Sequence, residues 1–258
     1  MDGMLLVIDV GNTQIVLGVY DGKSLKAHWR LDTKARRTED EMAVMVSQLF
    51  NLAGIEARSV KNAIISCVVP PLLPALLNFC RNTFSCDPLV VGPGIKSGVS
   101  IRTDDPREVG ADRIANTAGG LSIFDPPMIL IDFGTAITID AISKNAEYLG
   151  GAIIPGIELS MNALYHKAAK LPKVEITKPP SIIGANTVHS MQSGAFYGYV
   201  CLVDGIVKKM KSVLGAGAKV IATGGEAALV AKSSETIEHV EDNLTLIGLR
   251  VIHEKNER

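Results

Sequence analysis

Asp9, Gly11 and Asn12 close the apolar run LLVIDVGNT, and Asp132, Gly134 and Thr135 close a second, MILIDFGTA, 123 positions later. In each, an apolar run ends in aspartate, one apolar residue, glycine and a small polar residue, and a second branched apolar stretch follows. Glycine there accepts a positive φ and lets the backbone approach a bulky anion. Consecutive N–H groups in such a turn make an anion-binding concavity, to which Asn and Thr add donors. The aspartate repels phosphate and suits instead a cation, or a water on a cation, that bridges to the phosphates. One such turn is an ordinary hairpin connection. Two at matching places imply a polyphosphate gripped from both sides, in a cleft between facing domains.

Those turns need strands to carry them. LLVID and IVLGVY read as a hairpin, and LKAHWRLD as a third strand after a turn at Asp21–Ser24. Thr38 and Glu41 form a capping box that opens a helix through Met42, Val46 and Leu49, stopped at Gly54. AIISCVV (63–69) reads as a buried strand, 71–84 as a helix, LVVG (89–92) as a strand and GPGIKSG (92–98) as a loop, with a helix from near Pro106. The second half repeats this order. MILID and AITIDAI make a hairpin, EYLGGAIIP adds a strand, and helices are expected over 157–167 and 188–213. KVIATGG (219–225) is then a strand, with short helices to the end. The reading is an α/β protein with a duplicated domain core, split into 1–122 and 123–258 at a joint near 121–127.

Composition narrows the classes. With 26 basic and 27 acidic side chains, a net charge of -1 and no long Lys/Arg run, neither nucleic acid nor an anionic membrane is an expected partner. The apolar stretch 63–77 is broken by Pro70, Pro71 and Pro74 and cannot span a bilayer. Cys67, Cys80, Cys86 and Cys201 lie in apolar segments without zinc-site spacing and are expected as buried thiols in a reducing compartment. The five histidines show no metal-ligand pattern, and the first strand begins at Met4, so a cytoplasmic protein without a leader is expected.

Rival nucleotide motifs are missing. There is no G-x-x-x-x-G-K-[ST], and Gly215-Ala216-Gly217 precedes a strand where a dinucleotide fingerprint would follow one. Asp112-Arg113, taken alone, reads first as a solvated charge pair on a helix. Gly194 and Gly198 permit close helix packing, and Phe196, Tyr197 and Tyr199 suit a core or an interface better than base stacking.

Two Asp-x-Gly hairpins resemble the actin-like superfamily of sugar and acetate kinases, built from ribonuclease H-like domains with an interdomain nucleotide cleft. Within it the chain resembles the type III pantothenate kinases over nearly its whole length, through DVGNT (9–13), EVGADR (108–113), DFGTAITID (132–140), GGAIIPG (150–156), NTVHSMQSG (186–194) and ATGG (222–225). The resemblance implies ATP-dependent phosphorylation of pantothenate to 4′-phosphopantothenate, the first step toward coenzyme A. It implies a first phosphate loop of Asp9, Val10, Gly11, Asn12, Thr13, Gln14, Ile15 and Val16, with Asp9 near Mg²⁺. Gly134 and Thr135 would form the second loop, and Asp132 would bind a monovalent cation, K⁺ or NH₄⁺. Gly110, Ala111, Asp112 and Arg113 would hold pantothenate, with Asp112 as proton acceptor, and Thr187 would contact it across a homodimer interface. A carboxylate can orient the attacking hydroxyl and take its proton late, and Arg113 can clamp the substrate carboxylate.

The chain departs from the family pattern at three places. Thr103 stands where a tyrosine commonly shapes the pantothenate pocket, Ile137 replaces a hydroxyl in the second loop, and Glu226 follows ATGG. The family also contains relatives called Bvg accessory factors. A non-catalytic regulator is therefore the alternative, with a related kinase for another small hydroxyl substrate beside it. Loss of the Asp or Gly residues of the turns would favour the regulator, and all are present.

Overall fold

The computed structural model describes residues 3–257. β1 (Met4–Val10), β2 (Gln14–Asp21) and β3 (Ser24–Asp32) form an antiparallel meander. The chain returns through α1 (Glu39–Leu52) to β4 (Val60–Cys67), parallel to β1, and through α2 (Leu73–Phe84) to β5 (Leu89–Val90), parallel to β4. After β6 (Ser100–Ile101) and α3 (Ala111–Ile123) the order recurs. β7 (Met128–Phe133), β8 (Ala136–Ile142) and β9 (Glu147–Pro155) make a second meander. Then α4 (Ile157–Lys167) and α5 (Thr187–Leu214) lead to β10 (Lys219–Gly224), α6 (Ala227–Ala231) to β11 (His239–Val240), and α7 (Leu244–Asn256) follows. The sheets run β3-β2-β1-β4-β5 and β11-β10-β7-β8-β9-β6. Read from the meander side, the second repeats the first with β6 added at its outer edge, which is the duplication written as topology.

Burial follows sheet position. β1 and β7 are central and apolar on both faces, whereas β3 alternates residue by residue as an outer strand does. In one unit, Leu6, Ile8, Ile15, Leu17 and Ile65 meet Met42, Val46 and Phe50 of α1 and Leu76, Phe79 and Phe84 of α2. In the other, Ile129, Ile131, Ile137 and Ile139 meet Ala195, Phe196, Val203 and Val207 of α5 and Val230 of α6. The Thr38–Glu41 capping box is formed, its backbone N–H donating to the Glu41 carboxylate at 2.8 Å.

The compact units do not follow a single cut after residue 122. One contains the residues up to Val99, Asp104–Ser122 and everything from Leu244; the other contains Ser100–Thr103 and Ile123–Asn243. Residues 100–103 are drawn across because β6 pairs with β9 and the Arg102 N–H donates to the Tyr148 carbonyl at 2.8 Å. The final helix returns to the first unit through backbone contact with α3. A Cβ on Gly248 would lie 1.8 Å from the Ala115 carbonyl oxygen, and one on Gly119 2.5 Å from that of Leu244. The helix expected from near Pro106 begins instead at Ala111, after a single 3-10 turn at Pro106–Glu108. Cysteine burial differs too: Cys80 is buried, Cys67 and Cys86 are half-buried, and Cys201 is exposed on α5. Burial pushes the Cys80 thiol up to about 12.

Asp204 ties α5 to the segment after α6. Its carboxylate accepts from Ser234 Oγ at 2.5 Å, Thr236 Oγ1 at 2.6 Å and the Glu235 N–H at 3.0 Å. Burial alone would raise its pKa, but these donors outweigh burial and hold it below the ordinary 3.8. A depressed folded-state pKa stabilises above the unfolded-chain value and is lost as pH falls through the folded one. Urea unfolding should therefore show Asp204→Asn less stable than the parent at pH 7, by about 1.5–3 kcal/mol. That deficit should shrink steadily below pH 4.

Candidate functional site

Both Asp-x-Gly turns emerge from the central strand of their sheet. In the first, Asp9 pairs with Val16 and Val10 with Ile15, leaving Gly11, Asn12 and Thr13 as the connection. In the second, Asp132 pairs with Thr138 and Phe133 with Ile137, leaving Gly134 and Thr135. The second turn is thus one residue tighter.

The first turn is pinned from the end of β3. Thr33 Oγ1 donates to the Gly11 carbonyl at 2.7 Å, and the Thr33 N–H donates to the Thr13 carbonyl at 2.9 Å. Gly11 N–H closes the turn on the Gln14 carbonyl at 2.9 Å. Asn12, Thr13 and Gln14 are exposed, whereas Val10 and Ile15 are fully buried in the core. Of the eight residues of the expected first loop, those two can offer a ligand only backbone.

The second turn is held by Gly156, whose N–H donates to the Thr135 carbonyl at 2.9 Å. A Cβ on Gly156 would meet the Gly134 carbonyl oxygen at 2.3 Å. Ile137 is 1% exposed and points into the core, so its departure from the family pattern leaves the turn untouched. Thr138 points to the other face and donates to Asp140 at 3.3 Å, beside the 2.8 Å hydrogen bond from Tyr148 to the same carboxylate.

The glycines act differently from the expectation of positive φ. Neither Gly11 nor Gly134 adopts it. Their contribution is open space: a Cβ on Gly11 would have only the Gln14 carbonyl oxygen within 4 Å, at 3.2 Å. One on Gly134 would meet the Ala136 carbonyl oxygen at 3.4 Å and Asp132 Oδ1 at 3.9 Å.

Asp112 lies in the first turn of α3 and is half-buried, as are Gly110, Ala111 and Arg113. Its Oδ1 accepts from the Arg113 N–H at 2.8 Å, and a Cβ on Gly110 would come within 2.4 Å of that oxygen. A side chain at position 110 would displace the carboxylate, which explains the glycine of GADR. Thr103 belongs to the other unit, against Gly150 of β9, with its Oγ1 buried and unpartnered.

Thr187 opens α5 behind the Asn186 cap and is exposed. It lines a groove of about 650 Å³ with Met161, Leu164, Met191, Gly194 and Tyr199. Gly194 and Gly198, read as helix-packing glycines, face nothing within 4 Å in this chain. Among the described residues no group of three or more His, Cys, Asp or Glu side chains is placed to hold a metal, and no helix is long and apolar enough to cross a membrane.

Thr33 and Gly156 were not singled out as supports of the turns. Gly156 closes the quoted motif GGAIIPG, which is a usable signal; Thr33 has none, because its role depends on strand pairing.

The architecture is a duplicated ribonuclease H-like fold, one sheet order repeated in two units. A structure described as a Baf family transcriptional activator from Campylobacter jejuni aligns over 98% of each chain with a TM-score of 0.61 at 21% identity. MreB 5 of Spiroplasma citri bound to AMPPNP aligns over 100% of this chain and 98% of its own, with a TM-score of 0.55 at 10% identity. Those identities establish the fold alone. The family follows from sequence: the model for type III pantothenate kinase matches residues 5–209. A type III pantothenate kinase of Geotalea daltonii is 54% identical over 253 residues, covering 98% of this chain and 99% of the relative. The chain belongs to the type III pantothenate kinase family.

The glycines separate by what they touch. Gly11→Ala and Gly134→Ala should fold with stability within about 1 kcal/mol of the parent, since each new methyl meets only one tight contact. Gly156→Ala and Gly224→Ala, which collide with backbone at 2.3 and 2.4 Å, should each lose about 1–3 kcal/mol or more in urea unfolding.

Proposed function

We propose that the protein transfers the γ-phosphoryl group of ATP to the primary hydroxyl of pantothenate, giving 4′-phosphopantothenate. The observation that carries this reading is the retention of both Asp-x-Gly turns and of GADR, in a chain 54% identical to a type III pantothenate kinase along nearly its full length. Phosphoryl transfer asks a protein for positioning and charge neutralisation more than for covalent chemistry. The backbone N–H groups of Asn12 and Thr13 and of Thr135 supply phosphate donors, those of Gly11 and Gly134 being used to close the turns. Asp112, fixed by the Arg113 N–H, accepts the proton of the attacking hydroxyl, and the Arg113 guanidinium pairs with the pantothenate carboxylate.

The acids fit the ions such a reaction uses. Mg²⁺ keeps several waters and is bound through one or two carboxylates plus substrate phosphates, so the single half-buried Asp9 suffices where no larger acidic cluster exists among the described residues. Asp132, next to last in the matching strand of the second repeat, takes K⁺ or NH₄⁺ in this reading. When bound, these cations neutralise charge on the transferring phosphate. A homodimer completes the reading, with Thr187 contacting the other subunit's substrate. The exposed Leu164 lines one groove with the open Gly194, and the exposed Ile182 is tied by its carbonyl to the neighbouring Ser193 hydroxyl, which gives a second copy apolar surface to cover. The site of action is the cytoplasm, consistent with free thiols.

A coupled ADP-release assay with Mg²⁺ and K⁺ should show turnover that requires pantothenate. Asp112→Asn should lower kcat by about 10²–10⁴-fold, the usual value of a positioned proton acceptor, with the KM for ATP little changed. ATP turnover indifferent to pantothenate would contradict the assignment.

A further inference from the structure

We propose that Glu226 reads the sugar of the nucleotide, its carboxylate accepting hydrogen bonds from the ribose hydroxyls. This rests on the kinase reading above and assigns a role to a residue that departs from the family pattern.

β7 and β10 are parallel neighbours in register, Thr223 opposite Asp132 and Gly224 opposite Phe133. Their C-terminal ends therefore emerge together, and ligands of open sheets lie beyond the carboxyl ends of parallel strands. The two chains stay joined past the last pair. Gly225 N–H donates to the Phe133 carbonyl at 3.0 Å, and Gly224 takes a φ of 94° so tightly against Phe133 that a Cβ would come within 2.4 Å of its carbonyl oxygen. Glu226 follows at once, beside the Gly134–Thr135 turn. On the opposite flank of that turn, Gly156 grips Thr135 and is followed two residues later by Glu158. Burial, with a smaller contribution from the Glu158 charge, raises the Glu226 carboxyl above its ordinary value. A Cβ on Gly225, the residue before Glu226, would meet nothing within 4 Å.

A half-buried carboxylate in that place repels phosphate oxygens and needs donors. Among the described residues it receives a hydrogen bond only from its own backbone N–H. The donors that a nucleotide carries next to its phosphates are the vicinal 2′ and 3′ hydroxyls, and two carboxylate oxygens can accept from both. Hydrogen bonds to a charged acceptor are the stronger kind, and losing one leaves the acceptor unpaired, so removal of one hydroxyl should be felt about tenfold in affinity.

The test is calorimetric titration of the full chain with Mg²⁺ and, in turn, ADP, 2′-deoxy-ADP and 3′-deoxy-ADP, for the parent, Glu226→Gln and Glu226→Ala. The parent should bind ADP about tenfold more tightly than at least one deoxy analogue. In Glu226→Ala that ratio should fall to about one, with affinity for the analogue unchanged, and Glu226→Gln should retain part of it. Equal binding of all three by the parent, or an undiminished ratio in Glu226→Ala, would overturn the assignment while leaving the kinase reading intact. No binding of any nucleotide by the parent would overturn both. Because binding is measured without pantothenate, failure on the substrate side alone does not touch this result.

Discussion

A strand hydrogen-bonded along both edges cannot shift without breaking two ladders, and β1 and β7 are each such a strand. Each has an antiparallel partner on one side and a parallel one on the other. Their registers fix where Asp9 and Asp132 leave the sheet and where the following glycine turns begin. The apolar faces of both strands are buried under helices, so a one-residue slip would also send core side chains to the wrong face. Thr33 and Gly156 then hold the turns by main-chain hydrogen bonds of 2.9 Å each. In the proposed reaction, donor geometry is thus set before any ligand arrives, which is the preorganisation that electrostatic catalysis requires.

Small residues make the rest of this arrangement possible. Gly248 and Gly119 let α7 and α3 meet backbone to backbone, Gly224 lets the strand after β10 press on Phe133, and Gly110 makes room for the Asp112 carboxylate. Gly11 and Gly134 belong to another set, in which the missing side chain leaves space above the turn for a ligand. The distinction is between glycines where a Cβ would collide at 2.5 Å or less and these two, where the nearest atom stands at 3.2 Å or more.

Much of the fold is legible locally. The two hairpins, the Thr38–Glu41 capping box and the long α5 rest on periodicity and caps that act within a few residues. What escaped was non-local. The return of α7 to the first unit and the capture of residues 100–103 by β9 depend on contacts between segments more than 40 residues apart, for which no short pattern exists. The site residues divide in the same way. Asp9, Gly11, Asp132, Gly134 and the GADR tetrad stand out by type and spacing. The burial of Val10, Ile15 and Ile137, the exposure of Cys201 and the conformation of the turn glycines follow from strand register and helix packing.

Product identity tests the central claim most directly. With ATP, Mg²⁺, K⁺ and pantothenate, ³¹P NMR should show ADP accumulating in step with a phosphomonoester whose phosphorus couples to the two protons of one methylene, as phosphorylation of the primary hydroxyl requires. Accumulation of inorganic phosphate alone, or a phosphoester without that coupling, would contradict the account.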